Sequence, residues 1–107
     1  MKNVIFIVGL LLLSFQCLAG TSTGLISVIV VNAQDQVLVL AGPISGSPEC
    51  ATFERFVVDL STENGKAMYS LILSAQAQSK KIRILGKNVC NVRSNAESIQ
   101  YVEVIGL

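Results

Sequence analysis

Three acidic side chains lie close enough in the sequence to suggest acid–base chemistry: Glu54, Asp59 and Glu63. Paired carboxylates can act as general acid and general base. Alternatively, Asp59 and Glu63 flank the start of a predicted helix, where the helix dipole favours negative charge. We favour this second interpretation. The chain also contains no histidine, which excludes histidine triads and histidine metal sites. We therefore expect a protein with no catalytic residues, no metal and no cofactor.

Two cysteines, Cys50 and Cys90, lie outside the apolar N-terminal segment. In an exported small domain, two such cysteines most simply form one disulfide. The alternative is a reactive or metal-binding thiol pair, but the spacing is not C-x-x-C and no histidine could activate a thiolate. We expect the disulfide.

A short basic cluster follows the predicted helix and consists of Lys80, Lys81, Arg83 and Lys87. Such a strand can bind single-stranded nucleic acid when aromatic residues are interleaved with it. Aromatic residues are missing here, so solvated side chains and pairing with acids explain the cluster better. Arg83 or Arg93 would still suit an anionic sugar such as a sialic acid.

The N-terminus is typical of a secretory signal peptide. Lys2 precedes an apolar run over residues 4–13, and residues 14–20 are polar and small. We predict a signal peptide at 1–19, with cleavage after Ala19 or Gly20. Lipidation at Cys17 and an uncleaved anchor are the alternatives. Export predicts a secreted or periplasmic protein.

The remaining segment, 20–107, is predicted to be a single domain. Lys2 is one of the eight Lys and Arg residues, so the other seven balance the seven Asp and Glu. This neutrality argues against a nucleic-acid or anionic-membrane surface. No later stretch is long and apolar enough to span a membrane.

Hydrophobic patterning predicts a mainly β protein with one helix. Strands are expected at 25–31, 37–41, 52–60, 81–85 and 98–105, a helix at about 61–78, and a flexible leader at 20–24. Five strands in the order β-β-β-α-β-β match the OB-fold, a small Greek-key β-barrel. An open α+β sandwich with the helix across the sheet is the alternative.

The helix is expected to begin at an N-cap, Ser61, and to bury one face as a plug in the barrel. The residues at helical spacing on that face are Ala67, Met68, Leu71, Ile72 and Ala75. A second face is exposed in a monomer or lines the central pore of a ring, and it consists of Lys66, Ser70, Leu73 and Ala77.

The stretch from Cys50 to Cys90, which includes KAMYSLILSAQAQSKKIRILGKNVC, resembles a known family. It is similar to the helix-and-strand core of subtilase cytotoxin B subunits, and more broadly to OB-fold B subunits of bacterial toxins that carry five B subunits. The resemblance covers residues 50–90. It implies a secreted, ring-forming, glycan-binding module with a catalytic toxin subunit as a partner.

Two loops next to the cysteines are the best candidates for ligand contact, because a disulfide would hold them together and rigid loops often carry binding residues. The candidate residues are Ser45, Ser47, Glu49, Asn91, Arg93 and Asn95. We thus predict an exported, non-catalytic binding module that binds cell-surface glycans as a homo-oligomer, with a pentamer expected. The alternative is a periplasmic structural or inhibitory protein that binds a partner protein and no sugar.

Overall fold

The computed structural model describes residues 18–106, so most of the predicted signal peptide lies outside the described residues. This part of the chain forms one helix and seven strands. Their bounds are β1 Thr21–Gly24, β2 Val28–Val31, β3 Gln36–Leu40, β4 Ile44–Ser45, β5 Phe56–Asp59, α1 Glu63–Ala77, β6 Lys81–Gly86 and β7 Glu97–Ile105.

All seven strands belong to one curled, half-barrel sheet, which confirms the prediction of a mainly β fold. The strand order is β2-β3-β5-β7-β6-β1-β4. Every neighbouring pair is antiparallel except β5 and β7, which run parallel with Phe56 opposite Glu97. The first two strands expected from the sequence, 25–31 and 37–41, correspond to β2 and β3, which pair as an antiparallel hairpin with the turn at residues 32–35.

The prediction of five strands was wrong, because β1 and β4 were missed. The segment 20–24 was expected to be a flexible leader, yet β1 pairs with both β6 and β4. Its polar side chains have specific partners: Ser22 Oγ donates to the Gly42 carbonyl at 2.7 Å and accepts from the Ala41 amide at 3.2 Å. Gly24 adopts a φ of 148°, open to glycine, where β1 ends and the chain leads toward β2.

The helix begins one residue later than predicted, with Thr62 rather than Ser61 as its N-cap. Thr62 Oγ1 accepts a hydrogen bond from the Gly65 amide at 2.9 Å. Ser61 instead donates its amide and its hydroxyl to Asp59 Oδ1, at 2.9 and 2.6 Å. Gly65 lets the first turn approach β5, because a Cβ there would lie 1.8 Å from the Asp59 carbonyl oxygen.

The buried face of α1 differs from the predicted face by part of a turn. Ile72 and Ala75 are fully buried, as expected, and Met68 packs against the core. Leu71 is 39 % exposed and Ala67 is also exposed, so both assignments were wrong. The helix packs against β5, β6 and β7 and buries its core residues against the inner face of the sheet. That core consists of Val37, Val39, Ala41, Phe56, Val58, Ile72, Ala75, Ile82, Ile84 and Ile99.

The third predicted strand also starts late. It begins at Phe56 rather than at residue 52, because residues 50–55 form the loop that carries Cys50 and the exposed side chain of Phe53. This loop and the loop before β7 are the two segments that position the candidate site.

Candidate ligand-binding site

The disulfide between Cys50 and Cys90 is formed, which confirms the prediction from the two cysteines. Their Cα atoms are 6.1 Å apart. The bond joins the loop before β5 to the loop before β7. Two segments distant in the sequence are therefore held side by side at one end of the sheet.

A second tether lies a few residues away. The Phe53 amide donates a hydrogen bond to the Asn95 carbonyl at 2.9 Å. In the opposite loop, Arg93 and Ala96 form an isolated antiparallel bridge, which closes residues 93–96 into a tight turn. The disulfide and the backbone hydrogen bond together fix the position of Phe53 relative to Arg93.

Phe53 is 38 % exposed, and two guanidinium groups lie over its ring. The guanidinium carbon of Arg55 is 5.2 Å from the ring centroid, and that of Arg93 is 6.0 Å away. Both distances are within the range of cation–π attraction. The result is a partly exposed aromatic ring in contact with two positively charged side chains.

Arg93 is held in place by neutral partners. Its Nε donates to Asn95 Oδ1 at 2.9 Å, and one of its terminal nitrogens donates to Gln36 Oε1 at 3.4 Å. Gln36 is itself fixed, since its Nε2 donates to the Val92 carbonyl at 3.0 Å. Within residues 18–106, no carboxylate lies within salt-bridge distance of Arg93 or Arg55. Neither guanidinium is therefore in a salt bridge within the described residues; Arg55 instead donates to the backbone carbonyl of Glu54 at 2.6 Å, and Glu54 and Glu97 line the same cleft as Arg55.

Two separate concave surfaces contain parts of this arrangement, one with Phe53 and the other with Arg93. A cleft of about 280 Å³ has Phe53 and Arg55 in its wall and is lined by Ile44, Gly46, Ser47, Ala51, Thr52, Phe53, Glu54, Arg55, Phe56 and Glu97. A wider, shallower groove of about 580 Å³ contains Arg93 and is lined by Gln34, Gln36, Val92, Arg93, Ser94 and Asn95. The cleft is close in size to small-ligand sites, which run from roughly 300 to 1,000 Å³.

The six residues predicted for ligand contact are divided among different places. Arg93 and Asn95 lie together in the groove, and Ser47 lines the cleft. Asn91 lines another cleft near the start of α1, where its Oδ1 accepts from Ser98 Oγ at 2.6 Å. Ser45 is in β4, and the side chain of Glu49 is exposed.

Sequence reasoning missed Phe53, Arg55 and Gln36 as members of this surface. Phe53 is one of four aromatic residues in the segment 20–107. The signal in the sequence that could have found this pair is their spacing. One residue separates Phe53 from Arg55, so both side chains can reach the same surface. Nothing local in the sequence indicates that Gln36 supports Arg93.

Of the three carboxylates considered for acid–base chemistry, Asp59 and Glu63 have partners at the helix start, and Glu54 lines the cleft in the loop before β5. The side-chain and backbone hydrogen bonds from Ser61 lower the pKa of Asp59 below its usual value of 3.8. Glu63 lies 3.5 Å from the Lys66 ammonium on the exposed surface of α1. Across residues 18–106, no three His, Cys, Asp or Glu residues are grouped so as to hold a metal ion.

The basic cluster after the helix is elsewhere, on and around β6. Arg83 forms a salt bridge with Glu103 on the neighbouring strand β7, and both side chains are nearly half exposed. Arg83 therefore has an acidic partner, in contrast to Arg93. No helix in the described part of the chain has the length and apolar character needed to cross a membrane.

Comparisons of the chain with protein-family models, curated proteins and solved structures find no match.

Proposed function

We propose that this protein is an exported, non-catalytic binding module whose ligand is an acidic glycan. The observation that carries the proposal is the exposed ring of Phe53 between Arg55 and Arg93, neither of which has a carboxylate partner within the described residues. The disulfide and the Phe53–Asn95 hydrogen bond hold this surface in a fixed shape before any ligand binds.

The chemistry of an acidic sugar suits this surface in two ways. A guanidinium can bind a carboxylate through two parallel hydrogen bonds, and such charge-assisted bonds are roughly twice as strong as neutral ones. The apolar face of a pyranose ring can pack on the part of the Phe53 ring that the two guanidinium groups leave exposed. Ser47, which lines the cleft, and Asn95 and Gln34, which line the groove, carry polar groups that can bond sugar hydroxyls. A sialic acid combines the required carboxylate, apolar face and hydroxyls.

We further propose that the sheet is an OB-fold barrel. If β1 and β2 are two halves of one bent first strand, then β3, β5, β6 and β7 are the second to fifth strands of the barrel. In that numbering the strand order is 1-2-3-5-4-1, and the parallel pair lies between strands three and five. The helix then lies between the third and fourth strands, as the OB-fold requires. The short β4 is an addition that pairs with the outer edge of β1. This topology supports the resemblance to toxin B subunits.

Self-association in a ring is part of the same proposal. Within the described residues, β2 is one edge of the sheet and carries two exposed valines, Val30 and Val31, at 45 % and 52 %. Exposed apolar edge strands are prone to pair with another chain. The predicted pore face of α1 is exposed as well, and Leu73 on it is 39 % exposed. A ring would make weak sugar binding multivalent, and a catalytic toxin subunit would be its cargo.

A glycan array with three matched variants tests the binding proposal. We expect the mature protein to bind sialylated glycans and to ignore the corresponding neutral glycans. Phe53→Ala and Arg93→Gln should abolish the signal, whereas Arg83→Gln, which removes the same charge at a distant strand, should retain it. Equal loss in all three variants, or binding to neutral glycans alone, would contradict the proposal. Absence of any glycan signal would favour the alternative, a protein that binds another protein.

A further inference from the structure

One carboxylate is buried without a basic side chain beside it. Glu97, the first residue of β7, is 2 % exposed. Its oxygens accept hydrogen bonds from the backbone nitrogen of Gly20, at 3.0 and 3.2 Å, and its Oε2 also accepts from the Asn88 amide at 2.8 Å. Glu97 is therefore held by main-chain donors from two other segments.

The space around this carboxylate is made by two glycines. A Cβ at Gly86 would lie 2.0 Å from Glu97 Oε2, and a Cβ at Gly20 would lie 2.6 Å from Oε1. A side chain at either glycine would therefore occupy the space of the Glu97 carboxylate. This close contact shows that the fold holds Glu97 against Gly20.

The charge of Glu97 lacks a counter-ion among residues 18–106, since no lysine or arginine there lies within salt-bridge distance of it. Burial of an unpaired ionised carboxylate is unfavourable, and buried acids are almost always paired. The nitrogen that approaches both of its oxygens is that of Gly20. Gly20 immediately follows Ala19, one of the two positions after which the sequence predicts signal-peptide cleavage.

We propose that the mature chain begins at Gly20 and that its new α-ammonium group forms a buried ion pair with Glu97. The inference rests on export, proposed above. A signal peptidase hydrolyses the Ala19–Gly20 peptide bond: the carbonyl of Ala19 takes the oxygen of water and leaves as a carboxylate, and the nitrogen of Gly20 leaves protonated. Ala19 and Cys17 supply the small residues that such a site requires.

The surrounding backbone fixes this nitrogen. The Gly20 carbonyl accepts a hydrogen bond from the Gly86 amide at 2.9 Å, which extends the pairing of β1 with β6 up to Gly20. Cleavage after Gly20 instead would remove the nitrogen that contacts Glu97. Cleavage after Ala19 converts one amide donor into a cation with three donors, facing two carboxylate oxygens. Glu97 also lines the cleft beside Phe53, so the ion pair supports the wall of the proposed ligand site.

A set of four proteins with defined N-termini tests the ion pair. Chains that start at Gly20 or at Ala19 are released from a cleavable N-terminal fusion, each with Glu97 or with Glu97→Gln. With Glu97 present, we expect the Gly20 start to melt at least about 5 °C above the Ala19 start, a shift typical for a strong interaction in a domain of this size. Glu97→Gln should remove that difference.

Equal melting temperatures for the two starts with Glu97 present would overturn the ion pair, and so would a difference that Glu97→Gln leaves unchanged. If the Glu97→Gln chains do not fold, reductive methylation of the folded Glu97 proteins decides. The α-amine of the Gly20 start should react at least about tenfold more slowly than that of the Ala19 start, as a buried paired amine would. Similar rates would overturn the ion pair.

The cleavage position is tested separately on the full chain, expressed with its own N-terminal segment in a bacterial host. Intact-mass analysis of the exported protein should find a chain of residues 20–107. An uncleaved chain, or one that starts at any other residue, would overturn the processing step. Neither experiment depends on sugar binding, so a negative glycan array leaves both results interpretable.

Discussion

Replacement of Ile72 by alanine should destabilise the domain strongly, because the side chain of Ile72 is fully buried in the core beneath the sheet. Loss of a buried isoleucine side chain to alanine costs about 2–5 kcal/mol. A small domain has only about 5–15 kcal/mol of stability in total. In a domain of this size each kcal/mol is worth about 4–8 °C, so the melting temperature should fall by at least about 8 °C.

The neighbouring Leu71 provides a matched control. Leu71→Ala removes the same number of carbon atoms from the same helix, but Leu71 is 39 % exposed. Its loss should change stability by about 0.5–1 kcal/mol or less, as for surface positions. Urea unfolding followed by circular dichroism measures both, with equal slopes as the check on two-state behaviour. Equal losses, or a larger loss for Leu71→Ala, would show that the helix is rotated by about 100° from the described orientation.

The remaining predictions concern the helix start and the disulfide. Gly65→Ala should lower the melting temperature, although the same change in an open helix stabilises by about 1 kcal/mol, because the new Cβ would meet the Asp59 carbonyl; a higher melting temperature would contradict this close approach. The hydrogen bonds from Ser61 lower the pKa of Asp59 in the folded state, so their stabilisation is complete above the unfolded pKa and disappears as pH falls through the folded pKa. Asp59→Asn should therefore melt below the wild type at neutral pH, and the two melting temperatures should converge in strong acid. A difference in melting temperature that does not change with pH would contradict this reasoning. Joint replacement of Cys50 and Cys90 by serine should lower the free energy of unfolding in urea by about 3–4 kcal/mol. A loss below about 1 kcal/mol would contradict a stabilising role for the disulfide.

The sequence was sufficient to predict features that depend on local pattern or on chemistry with one simple outcome. The β2–β3 hairpin follows from two β-branched runs around a polar turn, and the disulfide follows from two cysteines in a domain that the sequence predicts to be exported. The helix was predicted for the same reason, and so was part of its buried face, but Leu71 was wrongly assigned to that face beside Ile72. Residues 71–73 are Leu-Ile-Leu, so the apolar pattern extends around much of the helix and does not distinguish Ile72 from its neighbours.

Features that depend on distant partners could not be predicted. The segment 21–24 is polar and small, with no strand signal, and it becomes β1 because β6 and β4 supply its hydrogen bonds. Likewise, Arg93 was a candidate, but Phe53 and Arg55 join it only because the disulfide and one long-range hydrogen bond bring the two loops together. The burial of Glu97 could not be predicted from its neighbours in the sequence, because it depends on glycines elsewhere in the chain.

We propose that the surface formed by Phe53, Arg55 and Arg93 binds an acidic sugar. The most direct measurement is a titration of ¹⁵N-labelled protein (residues 20–107) with sialyllactose, followed by amide chemical shifts, with lactose as the neutral control. We expect saturable shifts at these three residues and at Asn95 with sialyllactose, and none with lactose. Shifts that are absent, that are the same for both sugars, or that cluster around Arg83 and Glu103 would contradict it.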